Sequence, residues 1–277
     1  SAALDVYKRQ LYTAASGMRA QQTNVDNISN NIANVNTTAF KSQKTEFKSL
    51  LYQTIQTRTT SANGEEKPIG AQVGLGTRVA SNTTSYTQGA LLEDESKSAF
   101  AIEGNGFFQV RGADGTTYYT RNGNFNWSIG PTGTTLTNTD GYPVLDSNGN
   151  TIVLPNNVNS EKAVVTTDGQ VGYYNNAGAY VSMNRTIGLS QFSNPAGLEK
   201  AGSNLLRATN ASGAALNEAT NANLTRSKIH QSYLEGSNVQ VADEMVNLIV
   251  AQRAYQLNSK AITTSDDMLE QANNLKR

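Results

Sequence analysis

Two heptad-spaced rows, one near each end of the chain, limit what this sequence can fold into more than anything between them. The first runs Leu11, Ala14, Met18, Gln21, Val25, Ile28, Ile32 and Val35, with seven of the eight apolar. The second runs Val241, Met245, Leu248, Gln252, Tyr255, Ser259, Ile262, Asp266 and Leu269, with six of nine apolar and so a weaker seam. A repeat of this kind on a helix gives the narrow stripe of a coiled coil, not the broad face of a helix lying on a globular core. Both ends are therefore expected to be helices whose stripe must be covered.

The first helix has a second peculiarity. Asn24, Asn27, Asn30, Asn31, Asn34 and Asn36 crowd into it, and none falls on the seam. At roughly 0.6 kcal/mol each relative to alanine, they cost about 3–4 kcal/mol of helix propensity. A lone helix of this composition would fray in water, so packing must make up the deficit. The off-seam amides can offer paired donors and acceptors to neighbours on the other side, as in a multilayered helical bundle. Two coverings fit the pattern: sister copies, with the ends folding as they assemble, or the two terminal helices packing on each other within one chain.

Between the helices the period changes. From about Gln88 to Leu206, short β-branched and aromatic runs such as 107–110, 118–120 and 151–154 are separated by Asp114-Gly115, Asn122-Gly123, Asp140-Gly141, Asn148-Gly149 and Asp168-Gly169. Such dipeptides supply the positive φ of tight hairpins, so the middle is expected to be mainly β. An Asp-Gly…Asn-Gly-Asn pattern at 114–124 returns at 140–150, which suggests related hairpins rather than a solenoid. The expected class is α+β, with coiled-coil-forming N- and C-terminal helices flanking a β body. The expected organisation is an assembly helix over 1–36, an extended connector or hairpin over 37–87, the β body over 88–228 and a second assembly helix over 229–277.

Composition leaves little material for catalysis. The 277 residues carry 22 basic and 22 acidic side chains, a balance that argues against a nucleic-acid partner, which needs a basic face. No cysteine is present, which removes disulfide, thiolate and cysteine–zinc chemistry. No apolar run approaches the ~20 residues that span a bilayer, and no secretory signal pattern opens the chain. No metal or cofactor is expected. Gly104-Asn105-Gly106 lacks the third glycine of a dinucleotide loop, with Gln109 in its place. Asp146, Asn148 and Asn150 begin like a calcium loop, but Thr151 and Asn157 stand where glycine and glutamate are needed. The lone histidine, His230, has no nucleophile beside it and is expected near the start of the second helix. A competing class, an extracellular glycan-binding or hydrolase module, would use Tyr118, Tyr119, Trp127 and Tyr142 as a stacking surface.

The residues also carry a resemblance. Leu11 to Gln43 (LYTAASGMRAQQTNVDNISNNIANVNTTAFKSQ) is similar to the N-terminal signature of bacterial flagellar rod and hook proteins. Ser232 to Leu269, with Ser237-Asn238-Val239, Glu244-Met245-Val246 and Gln252-Arg253-Ala254-Tyr255, resembles the family's closing helix. Ile102 to Val110, Tyr119 to Gly123, Phe192 to Leu198 and Gly202 to Leu205 match its β-domain motifs. Phe47 to Gln56 (FKSLLYQTIQ) resembles the members that form the distal part of the rod, with a proximal-rod or hook subunit as the alternative.

The resemblance implies a non-enzymatic structural subunit. Copies would stack helically into a hollow shaft that carries torque to the hook, in contact with other rod subunits, hook subunits and surrounding ring proteins. The flagellar export apparatus would deliver them to the basal body, in the periplasm, without a cleavable signal. Met18, Val25, Ile28, Ile32, Met245, Leu248, Ile249 and Ile262 are the expected self-assembly residues, and the stretch 53–77 is expected to stiffen the shaft. Two departures from the family pattern stand out. The opening SAALDVYKRQ is unlike the family's lead-in, although Leu4 and Tyr7 continue the seam. Ala39 occupies a position where glycine is common; if that position needs positive φ, alanine is strained there by ~1 kcal/mol.

Overall fold

The computed structural model describes residues 2–56, 71–130, 133–156, 158–175 and 177–274. The architecture is α+β. Helix α1 spans Ala2–Ala33 and helix α2 spans Val241–Asn274, about 48 and 51 Å long at 1.5 Å per residue. Contacts divide the chain into two units. The described parts of Ser1–Ala33, Gln43–Thr84 and Gln240–Arg277 form the first, and Asn34–Ser42 with Ser85–Val239 form the second.

In the first unit α1 and α2 run antiparallel. Asn31 Nδ2 donates to Glu244 Oε1 at 3.2 Å, and fourteen residues back along α1 Gly17 sits beside Asn258, fourteen residues on along α2. A Cβ on Gly17 would stand 2.9 Å from Asn258 Nδ2, so glycine is what allows this approach. The helices share the unit with a β ribbon. Strand β1 (Gln43–Ser49) pairs antiparallel with β4 (Thr77–Thr84), and β2 (Tyr52–Gln56) pairs with β3 (Ala71–Gly74). A bulge in each pair, at Glu46/Phe47 and at Thr54/Gln56, shifts the register.

The amide-rich side of α1 packs on this ribbon. Asn31 Nδ2 donates to Gln43 O at 2.8 Å and its Oδ1 accepts Gln43 N–H at 3.0 Å, so one side chain supplies the reciprocal pair that a neighbouring strand would supply. Asn27 Nδ2 donates to Thr45 Oγ1 at 3.0 Å. Alternation along β1 turns Gln43 and Thr45 inward and Lys44 and Glu46 outward, which is why two asparagines one helical turn apart meet residues two apart on a strand. The amides expected to serve a further helical layer thus face a strand of their own chain at these two positions.

The second unit is the β body. A six-stranded sheet runs in the order Glu199–Gly202, Leu205–Arg207, Thr117–Thr120, Phe107–Arg111, Leu189–Gln191, Leu216–Asn217, and two three-stranded sheets accompany it. Phe100, Ile102, Phe108, Phe125, Leu136, Ile152 and Ile229 form its water-free core. The same three-residue hairpin loop recurs among the described residues at 112–116, 138–142, 146–150 and 166–170. In each, the glycine N–H donates three residues back and the first and last residues exchange a further bond. Glycines 115, 141, 149 and 169 supply the positive φ, as the dipeptides indicated. Gly123 does not; a Cβ there would overlap Phe100 O, so close approach is its reason.

The C-terminal helix begins later than expected. Lys228–Gln231 and Tyr233–Glu235 are strands paired with Phe100–Glu103 and Leu91–Glu93, although the sequence pattern assigns all of their residues from Ile229 on to the assembly helix. The alternation that buries Ile229 beneath exposed Lys228 is a strand pattern whose partner lies more than a hundred residues away, out of reach of local periodicity. His230 accordingly sits on a strand, its Nε2 2.7 Å from Glu103 Oε2.

Candidate assembly surface

The residues that could carry chemistry are engaged in holding the body together. Asp146 Oδ1 accepts the N–H groups of Asn148 and Asn150, at 2.9 and 2.7 Å, and its Oδ2 lies 2.8 Å from Arg185 Nη1. This carboxylate closes a polar turn. Tyr119 is buried against Phe192, while Tyr118, Trp127 and Tyr142 pack partly on the main core. These rings are packing residues, not an open stacking platform.

The segments that follow α1 and precede α2 are tied together within the body. Glu235 is fully buried; its Oε1 lies 2.6 Å from Lys41 Nζ and accepts Gly89 N–H at 2.9 Å, and its Oε2 lies 3.3 Å from Arg121 Nη1. Lys41 also donates to Thr87 O at 2.9 Å, Arg121 to Gly104 O, and the guanidinium lies over the Phe107 ring at 5.3 Å. Two cations share one carboxylate in a buried site. Desolvation lowers the pKa of Lys41, with the Glu235 charge opposing it, and lowers that of Arg121 for the same reason. Asn238 completes the tie: its Oδ1 accepts Ser42 N–H at 2.7 Å and its Nδ2 donates to Ser85 O at 2.9 Å. Ala39 lies between, with φ +57°, and donates its N–H to Glu235 O at 2.7 Å.

The expected seam residues divide in the first unit. On α1, Ile28 is buried and Met18, Val25 and Ile32 are half-buried. On α2, Leu248 and Ile262 are half-buried, whereas Met245 and Ile249 are 53% and 58% exposed. The side of α2 turned inward carries Leu248, Ala251, Asn258, Ile262 and Ser265. Those small and polar residues displace the contact from the seam expected by counting apolar positions.

A second row on α2 went unread in the sequence. Val246, Val250, Leu257 and Met268 are all exposed, Val250 at 62% and Leu257 at 68%. Their intervals of 4, 7 and 11 residues keep heptad spacing on a side away from the inward one. The signal was present: a helix carrying two apolar rows at the same repeat is bifacial. Towards its C-terminal end this row forms one wall of a groove of about 850 Å³, closed by α1 around Thr13 and Ala14 and by Val73 and Gly74 of β3.

Three family models match the chain: "Flagella basal body rod protein" over residues 11–41, "Flagellar hook protein FlgE/F/G D1 domain" over 101–173 and "Flagellar basal body rod FlgEFG protein C-terminal" over 230–275. The flagellar basal-body rod protein FlgG of Borreliella burgdorferi is 42% identical over 270 residues, 97% of this chain and 99% of its own length. FlgG of Bacillus subtilis is 39% identical over 269 residues, again 97% and 99% of the two chains. The flagellar hook-basal body complex protein FlhP of the same organism is 30% identical over 275 residues, with the same coverage.

Proposed function

The chain belongs to the flagellar basal-body rod family, as a structural subunit of the rod, and we propose that its copies stack helically into the distal, hollow part of that shaft and carry motor torque to the hook. The observation that carries this reading is the outer side of α2. After packing on α1, that helix still exposes Met245, Val246, Ile249, Val250, Leu257 and Met268. Full burial of each such side chain stabilises by about 1.5–3 kcal/mol, so a second layer of protein over this surface has a large driving force. Torque transmission asks for many lateral contacts and no reaction.

The remaining parts of the reading follow from the family. The subunit belongs to the flagellar basal body; its neighbours are proposed to be further copies, then other rod subunits, hook subunits and the rings around the shaft. Delivery through the flagellar export apparatus, without a cleavable signal, is proposed to place it in the periplasmic part of the envelope. No described helix is long and apolar enough to cross a membrane. The stretch 53–77 is proposed to stiffen the shaft; its residues 57–70 lie outside the described residues.

The test is Ile249→Asp. This side chain is 58% exposed, so the variant should fold as the parent does yet stay monomeric by sedimentation where the parent polymerises. A polymer that forms equally well with aspartate there would overturn the reading.

A further inference from the structure

We propose that the first turns of α2 in one copy dock into the groove at the far end of the helix pair in the next copy, joining copies head to tail. The proposal rests on the polymer reading above and names the contact that would build it. The groove floor is apolar, with Ala14, Val73, Leu257, Ala261 and Met268, and among the described residues its charged lining is Arg9 and Lys260. Arg9 reaches Gln53 at 3.4 Å, which holds it at the rim. The segment Val241 to Val250 has the complementary character: Asp243 and Glu244 are its only charges, Glu244 accepting from Asn31 in its own copy and Asp243 exposed, and Val241, Met245, Val246, Ile249 and Val250 are exposed. Val241, Met245 and Ile249, at i, i+4 and i+8, lie near one another on the helix surface, and an amphipathic helix lays such an apolar face into an apolar groove.

A chain cannot satisfy its own groove with this segment. Val246 and Ala261 stand fifteen residues apart on one continuous helix, about 22 Å along its axis. A second copy can bring the two together. Pairing like with like, first turn against first turn, would set Asp243 against its own counterpart and leave the basic groove empty, so charge favours the unlike contact. An unlike contact between identical copies that does not close on itself generates an open helical polymer.

The absence of cysteine from the chain makes a clean test. Two full-length variants are prepared, Val250→Cys and Thr264→Cys; both positions are exposed, so neither substitution disturbs the fold. They are oxidised separately and as a mixture, under conditions in which sedimentation follows polymer formation. A disulfide-linked dimer that forms from the mixture and is absent from either variant alone supports the docking. Dimers from Val250→Cys alone would mean like-with-like pairing and overturn it. Polymer without the mixed disulfide would also overturn it while leaving the polymer reading intact, and neither polymer nor disulfide would sink both.

Discussion

Lys41 Nζ lies 2.6 Å from Glu235 Oε1, a buried pair 194 positions apart in sequence. The carboxylate also faces Arg121, so among the described residues it is the one anion paired directly with two desolvated cations. Removing one partner of a buried charge group is expensive because the other charges stay behind. Glu235→Gln should therefore destabilise the body by about 3–5 kcal/mol, a fall in melting temperature of roughly 6–20 °C. Lys41→Met should cost less, since Arg121 still faces the carboxylate. Thermal melts followed by circular dichroism check both; an unchanged melt for Glu235→Gln would show that the cluster contributes little.

Ala39 holds φ at +57°, a region glycine enters freely and alanine does not. Ala39→Gly should raise stability by about 1 kcal/mol, read as a higher denaturant midpoint with an unchanged slope. A lower midpoint would mean that the buried methyl outweighs the backbone strain.

Gly76 has φ +111°, and a Cβ there would overlap Ser16 Oγ on α1, the atom that accepts Thr77 N–H at 3.3 Å. Gly76→Ala should lose about 1–3 kcal/mol through strain and displacement of the ribbon from the helix. Hydrogen exchange at Thr77 should quicken; protection equal to the parent's would contradict this packing.

Neighbouring residues on α2 should separate folding from assembly. Leu248 is half-buried in its own molecule, so Leu248→Asp should lower both helix content and polymer yield, as should Met18→Asp on α1. Val250 is exposed, so Val250→Asp should leave monomer helicity intact and abolish polymer and swimming. Circular dichroism beside sedimentation distinguishes these outcomes, and identical behaviour at 248 and 250 would undo the division of faces.

Tyr86 packs edge-on against Phe107 with ring centroids 5.7 Å apart, and burial pushes its phenol up to about 12. The folded state then holds this proton more tightly than the unfolded chain, whose tyrosines ionise near 10. Its contribution is fully present below pH 10 and is lost as pH rises to about 12, a decline of about 2–3 kcal/mol. Tyr86→Phe should flatten that decline in denaturant melts taken across the window; an identical decline would assign it elsewhere.

The parts of this fold that could be read from sequence are those specified by neighbours along the chain. Heptad rows marked both helices, and the Asp-Gly or Asn-Gly steps at 114, 140, 148 and 168 marked hairpins because the glycine itself makes the turn, whereas Asn122-Gly123 did not. The strand at 228–231 was unreadable because only its pairing with 100–103 makes it a strand. The inward side of α2 was misjudged for a related reason. Gly17 lets Asn258 come close, and Ala251 is buried although small, so contact follows where backbones can approach and not where apolar residues are largest. Asn31 shows the same limit: an amide off the seam reads as solvent-facing until the strand edge it completes is known. Of the eight expected assembly residues, Met245 and Ile249 lie on the open side of α2, and the exposed row through Val246, Val250, Leu257 and Met268 had to be found from burial.

The unit formed by α1, the ribbon and α2 draws on opposite extremities of the polypeptide. A ribosome makes α1 before α2, so α1 waits for its antiparallel partner through more than two hundred intervening residues. A product cut short before Val241 would keep every segment of the body and yet lack the helix whose open side carries the proposed contact between copies. Were incorporation to run through that helix as proposed, the geometry itself would inspect the chain for α2 before admitting it.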